Sequence, residues 1–210
     1  MGQKIKLKLI VLGDEFSGKS SLLHRYKNKE FILNNSSTIG VDFVTSTINH
    51  NNNEYTLHIW DTSGQEKFNS IIISYYRNIA VAIIVFDLSN IESFNNIKKW
   101  FNNIEHYCNK DVTIKLIGNK CDQTINVNQR DINILCRDYK LDYFEVSAKD
   151  NININSVFDN IVEDIDNKLN NCELVPSNKN GIMIVDIFKL ESNDIQKIKK
   201  QKEPKCCTIL

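Results

Sequence analysis

The sequence predicts an α/β fold: a doubly wound, mostly parallel six-stranded sheet with one antiparallel strand and helices on both faces. Three observations predict it. Short runs of β-branched residues alternate with apolar stripes at three- and four-residue spacing. One pair of runs is joined by the turn-forming "NNN" rather than by a helix. And "GDEFSGKS", residues 13–20, fits G-x-x-x-x-G-K-[ST] directly after the first run and ahead of the helix-like "KSSLLHRYKN".

The elements follow in order. "IKLKLIVLG" alternates and then turns continuously apolar, as a strand does on entering the middle of a sheet. "VDFVTSTINH" and "EYTLHIWD" make the hairpin, and "AVAIIVFD", "VTIKLIGN" and "YFEVSA" complete six strands. Between the later ones, Ile91, Phe94, Ile97, Trp100, Phe101, Ile104 and Cys108 recur at helical spacing, as do Ile154, Val157, Phe158, Ile161, Val162, Ile165 and Leu169. Both stripes read as core. Right-handed crossovers then place helices on both faces, and a ligand belongs outside the carboxyl ends of the strands. Residues 4–169 form the domain. Residues 170–210 read as a flexible tail, polar except for the patch "GIMIVDIFKL".

Composition narrows the function. The 26 basic side chains equal the 26 acidic ones, which argues against a strongly basic nucleic-acid binder. No apolar run approaches the roughly 20 residues that span a bilayer, and the N-terminus lacks a signal-peptide core, so a cytosolic protein is expected. In that reducing compartment Cys108, Cys121, Cys136 and Cys172 read as buried small residues, and the Asn runs as surface bias.

The strand ends carry the chemistry. Around Ser17, Gly18 and Lys19 the backbone can cradle phosphates, Lys19 can reach the β- and γ-oxygens, and the Ser20 hydroxyl can ligate Mg²⁺. In "WDTSGQE", Asp61 stands at the end of a buried strand as a Mg²⁺ partner, either directly or through another ligand, and Gly64 lets a backbone N–H approach a γ-phosphate. In "IGNKCD", the acceptor-only carboxylate of Asp122 matches the adjacent N1–H and N2 amino donors of guanine. Adenine lacks both, and would leave a buried carboxylate unpaired at a cost of a few kcal/mol. "VSAK" brings the Ala148 N–H towards a base oxygen. GTP, not ATP, is the expected ligand, which sets aside an ATP-dependent kinase.

With "GDEFSGKS", Thr38 in "STIGVDF", "WDTSGQE", "NKCD" and "SAK" in that order, the chain resembles the small GTPases, and "IGVDF", "LHIWDTSGQEKF", "SYYR" and "IVFDLS" resemble the stretches that mark the Rab family. The resemblance covers about Lys4 to Leu169. It implies a P-loop G domain that binds GTP or GDP with Mg²⁺, hydrolyses GTP, and acts as a membrane-anchored switch in vesicle traffic. It implies nucleotide contacts from Ser17, Gly18, Lys19, Ser20, Ser21, Phe31, Thr38, Gly64, Asn119, Lys120, Asp122, Ser147, Ala148 and Lys149, with Ser20, Thr38 and Asp61 at the metal. Gln65 would orient the attacking water. Phe31 would lie edge-on to guanine, with Lys120 and Lys149 against its faces. Switches would run from about Phe31 to Phe43 and from Asp61 to about Arg77, and both would be released on loss of the γ-phosphate. The implied partners are an exchange factor, an activating protein, a GDP-dissociation inhibitor, a prenylation escort and GTP-dependent effectors. The implied location is the cytoplasmic face of an intracellular membrane, with an escorted cytosolic pool.

Two departures stand out. Ser63 replaces the Ala of "DTAGQE", a small change. Glu15 and Phe16 stand where small residues are usual in the phosphate loop, which leaves binding intact but sets a slowly hydrolysing GTP-binding scaffold beside the cycling switch as an alternative. The hypervariable tail ends "CCTIL". Cys207-Thr-Ile-Leu fits a geranylgeranylation box, Cys206 can carry a second lipid, and five Lys between Lys197 and Lys205 favour an anionic membrane. The patch "GIMIVDIFKL" either docks on the protein that presents the tail for prenylation or folds back on the domain.

Overall fold

A seven-stranded sheet forms the centre of the computed structural model, which describes residues 2–33, 38–64 and 72–185. β1 (Lys4–Leu12) leads through the phosphate loop into α1 (Lys19–Asn28). β2 (Val41–His50) and β3 (Asn53–Thr62) form the antiparallel hairpin. A 3₁₀ turn at Ile73–Tyr76 precedes β4 (Val81–Asp87), α2 (Ile91–Asn95) and α3 (Ile97–Tyr107). Then come β5 (Thr113–Asn119), α4 (Gln129–Tyr139), β6 (Asp142–Glu145), α5 (Ile154–Asn170) and β7 (Ile182–Val185). The order across the sheet is β2-β3-β1-β4-β5-β6, and every neighbouring pair except β2 with β3 is parallel.

The pleat of β1 divides its side chains between two cores. Leu7, Leu9 and Val11 pack with Leu22 and Leu23 of α1 and with Val157, Phe158, Ile161 and Ile165 of α5. Ile10 and Leu12 pack with Ile97, Trp100 and Ile104 of α3 and with Ile132 and Leu135 of α4. At roughly 1.5–3 kcal/mol for each large apolar side chain removed from water, these two layers supply the main folding drive. They also fix the carboxyl ends of β1, β3, β4, β5 and β6 along one rim, where the candidate site lies.

Four features differ from the expectations above. First, the chain does not leave the domain at Asn170. β4 begins at Val81, beside Leu9, so the β4-facing edge of β1 from Lys4 to Leu7 is uncovered; β7, from the "GIMIVDIFKL" patch, folds back on the domain, one of the two courses expected for that patch, and pairs antiparallel along it. That makes seven strands among the described residues where six were expected. Second, the stripe from Ile91 to Cys108 is two helices that meet at Asn96, and Ile91, ahead of the break, is 44% exposed. Third, α4 was not foreseen, although its Asn128 side chain caps Arg130 N–H and Ile132 and Leu135 face the core. Fourth, Cys108, Cys121 and Cys136 are only partly buried and Cys172 is exposed.

The Asn-rich turn between β2 and β3 is more than surface bias. Asp166 of α5, 1% exposed, accepts from Asn51 Nδ2 at 2.9 Å, Asn53 Nδ2 at 3.3 Å and the Tyr55 hydroxyl. A buried carboxylate needs such donors. The hairpin is thereby pinned to α5 at the end remote from the strand rim.

Candidate functional site

The phosphate loop leaves β1 at Gly13 and enters α1 at Gly18, with φ of +139° and +90°. Both need glycine. A Cβ on Gly13 would stand 2.0 Å from the Val85 carbonyl oxygen, and one on Gly18 would stand 2.2 Å from Asn119 Nδ2. Inside the curve Lys19 Nζ donates to the carbonyls of Gly13 at 3.0 Å and Asp14 at 2.8 Å. Burial lowers its pKa to about 8, against the raising influence of Asp61, Asp14 and Glu15. A cation held in this way, among loop amides, suits a polyanion.

Beside it lies an oxygen cluster. Ser20 Oγ donates to Asp61 Oδ2 at 2.5 Å and stands 2.7 Å from Thr38 Oγ1. Asp61 is 3% exposed, and burial lifts its pKa to about 6 even though Ser20 and Lys19 favour its charged form. Its other oxygen, Oδ1, is buried with no hydrogen-bond partner among the described residues. Two hydroxyls and a carboxylate with an orphaned oxygen are the hard oxygen donors that a small divalent cation takes, so these three residues fit Mg²⁺.

The opposite end of the cleft is built by the ends of β5 and β6. Asn119, 1% exposed, donates to the Ser17 carbonyl at 3.0 Å and accepts from Ala148 N–H at 3.3 Å, tying the phosphate loop to the "SAK" loop. Asp122 accepts from Ser147 Oγ at 2.5 Å, and Lys149 Nζ stands 3.8 Å from its other oxygen. Lys120 pairs with Asp87 at 2.7 Å. The cleft between these ends has a volume of about 410 Å³. Of the fourteen expected nucleotide residues, Gly18, Lys19, Ser20, Ser21, Phe31, Thr38, Gly64, Asn119, Lys120, Asp122, Ala148 and Lys149 line it. Ser17 and Ser147 stand behind the wall, buried, where they hold the loops.

Three residues expected to act lie outside the described residues: Gln65, Cys206 and Cys207. So do parts of both expected switches and the Lys-rich run. Other participants escaped the sequence reading. Arg25 of α1 donates from Nε to the Ala148 carbonyl at 2.8 Å and from Nη2 to the Lys149 carbonyl at 2.7 Å, and no motif signals it. Asp87 is the last residue of β4 and Asp61 the last but one of β3, a repeated aspartate at a strand end that was available as a signal. Phe16 has φ of +62° and is 70% exposed at the cleft, a backbone state that bulky residues seldom adopt.

Comparison with known proteins follows the same span. The Ras family model matches residues 8–167. Ras-related protein Rab-10 of Diplobatis ommata is 41% identical over 160 residues, covering 75% of this chain and 80% of that protein. Ras-related protein Rab-8 of the same species is 37% identical over 205 residues, 96% of each. Ras-related protein RABD1 of Arabidopsis thaliana is 42% identical over 164 residues, 77% of this chain and 80% of its own length.

Proposed function

Because the chain belongs to the Ras family, on its Rab branch, and so hydrolyses GTP to GDP as a switch in membrane traffic, we propose that the 410 Å³ cleft is where it does so. Asp122 selects guanine. Its side chain is 4% exposed and its oxygens face Ser147 and Lys149, so a base with two adjacent donors satisfies it and adenine does not. This is the observation that carries the reading. Lys19 and the loop amides bind the phosphates, and a polyanion there restores the charge that burial disfavours on the lysine.

Ser20, Thr38 and Asp61 would hold Mg²⁺, which when bound neutralises charge on the phosphate oxygens. The chain's own residues orient the rest. Gly64 presses its backbone on the phosphate loop, where a Cβ would come 2.2 Å from Glu15 N, and from there its N–H would meet the end of a bound triphosphate. Gln65, next in sequence, orients the attacking water. Phe31 lines the base end and is held by Arg25, whose guanidinium carbon is 5.9 Å from the ring centre.

The partners are an exchange factor, an activating protein, a GDP-dissociation inhibitor, a prenylation escort and effectors that bind the GTP form. Attachment is peripheral. No helix among the described residues is long and apolar enough to cross a membrane, and Cys207 with Cys206 carries the anchor to a cytoplasmic membrane face. The strained, exposed Phe16 favours a second reading in which hydrolysis is slow enough for the protein to act as a GTP-bound scaffold.

Competition of unlabelled nucleotides against a fluorescent GDP tests the site. GDP and GTP should displace it and ATP should not. Asp122→Asn, which turns an acceptor into a group that can also donate, should lose about tenfold or more in GDP affinity and gain xanthosine diphosphate binding. Unchanged GDP affinity in the variant would remove Asp122 from the base.

A further inference from the structure

We infer that Asp14 is a positioning residue: through its side chain, helix α3 fixes the peptide on which Gly64 rests, and so sets how strongly the cleft prefers a nucleoside triphosphate to a diphosphate. The inference rests on the reading above that the cleft holds a guanine nucleotide.

Asp14 occupies an open position of the phosphate-loop pattern, so phosphate binding alone does not call for a carboxylate there. Each of its oxygens nevertheless has one donor from the α3 region. Asn96 Nδ2 donates to Oδ2 at 2.7 Å, and Trp100 Nε1 donates to Oδ1 at 2.8 Å. Trp100 is 2% exposed and packed among Ile10, Leu12 and Ile104, so the indole is a fixed post rather than a follower. The backbone of the same residue is held from the other side. Its carbonyl accepts from Lys19 Nζ at 2.8 Å and from Ser17 Oγ at 2.9 Å. One residue therefore joins α1, over one face of the sheet, to α3, over the other.

Gly64 meets the loop at this residue. A Cβ built there would stand 2.2 Å from Glu15 N and 2.3 Å from Asp14 C, so two backbones touch with no room for a side chain. The bond between those two atoms is the peptide that the Asp14 side chain anchors. A diphosphate and a triphosphate differ only in the group that must reach Gly64. Loosening Asp14 should therefore weaken the triphosphate more than the diphosphate: both share the contact with Lys19, whose Nζ the Asp14 carbonyl also holds, but only the triphosphate adds the group at Gly64.

The test uses the full chain loaded with fluorescent GDP or with a fluorescent non-hydrolysable GTP analogue, with dissociation followed at saturating Mg²⁺ alongside the melting temperature. Asp14→Ala should raise the ratio of analogue to GDP dissociation rates by about tenfold, part of what the two hydrogen bonds to a charged group that it removes are worth. Asp14→Asn keeps one carbonyl acceptor for Trp100 and should restore most of the ratio. A purely structural role predicts that both rates rise in proportion as the melting temperature falls. A ratio within twofold of wild type in Asp14→Ala overturns the inference. Should that variant not fold, Asn96→Ala removes only the exposed half of the clamp and must move the ratio the same way by a smaller factor; an unmoved ratio there overturns the inference equally. Wild-type protein that binds neither guanine nucleotide would instead overturn the reading of the cleft itself, and the inference with it.

Discussion

Ile182 stands opposite Leu7 across an antiparallel pair, on the edge of β1 that β4 leaves uncovered, and both side chains are buried in the core beneath α1 and α5. The turn that returns the chain from α5 is tightly made. Gly181 has φ of +72°, and a Cβ there would lie 2.5 Å from the Asn78 carbonyl oxygen; its own carbonyl accepts from Lys8 N–H at 2.9 Å. Leu174, 8% exposed, joins the same core. The segment after α5 is thus part of the domain up to Val185. Ile182→Asp buries a charge against Leu7, and should cost about 3 kcal/mol or release the strand. The check is thermal melting of the GDP-loaded protein with limited proteolysis. New cleavage between residues 171 and 185 with the rest of the domain intact would mark release. An unaltered melting temperature and cleavage pattern would mean that β7 contributes nothing.

How much of this was legible follows from where each signal resides. Strand and helix periods are local, so β1 to β6 and the stripes of α3 and α5 could be read directly. Most of the residues that line the cleft could be picked out because their motifs fall at strand ends, which the sheet gathers on one rim. β7 was not, since four residues carry almost no periodicity and the reason for their pairing lies in the late start of β4. Arg25 and Asp14 act through partners more than 80 positions away in sequence, on backbone carbonyls and on an indole, and no local pattern encodes that. The strain at Phe16 needed φ, which composition does not give.

The Ser20 and Asp61 pair gives the site a pH dependence. Burial lifts the Asp61 pKa from the usual carboxylate range to about 6. Between that range and 6 the folded state carries a proton that the unfolded state lacks, so stability from this group is gained as pH falls through 6 and lost as pH rises. Cation binding would run the other way, because Mg²⁺ held at Asp61 would compete with the proton for the same carboxylate. At pH 5.5 about a quarter of Asp61 is ionised, so apparent Mg²⁺ affinity should fall about fourfold relative to pH 7.5. Mg²⁺-dependence of GDP release at the two pH values measures it, and Asp61→Asn should flatten the difference. Equal Mg²⁺ dependence at both pH values in the wild type would take Asp61 away from the metal.

Anchoring should follow the two cysteines and the basic run. Val185, the last described residue, pairs with Lys4 at the end of β1 opposite the phosphate loop. The 21 residues from Asp186 to Cys206 bound the tether to about 70 Å at full extension. Replacing Cys206 and Cys207 together by Ser should leave GDP affinity unchanged and move the protein to the soluble fraction. Neutralising Lys197, Lys199, Lys200, Lys202 and Lys205 should give a partial, salt-sensitive loss, since these contacts are screened within about 10 Å at 0.1 M salt. Fractionation and the mass of the C-terminal peptide decide it. A tail of unmodified mass in membrane-bound protein would refute the lipid anchor.

Glu15 and Phe16 should slow hydrolysis without weakening binding. Phe16 holds φ of +62° where a glycine would be free of strain, at a cost of about 1 kcal/mol or more, and 70% of its surface is exposed at the cleft. Glu15 is close enough to Lys19 for its charge to favour the ammonium, so it also opposes negative charge arriving on the γ-phosphate. An arginine entering from an activator would meet that carboxylate and the Phe16 ring before the phosphate. Such an arginine contributes about 10³ to 10⁵ in rate, so even partial misdirection is measurable. The variant combining Glu15→Ser with Phe16→Gly should hydrolyse GTP faster in single turnover, respond more strongly to an activator, and bind GDP within a few-fold of wild type. The single variants separate charge from bulk: Glu15→Ser should act mainly on the intrinsic rate, and Phe16→Gly mainly on the activated one. Identical single-turnover rates in wild type and double variant, with and without an activator, would mean that both side chains sit clear of the reaction.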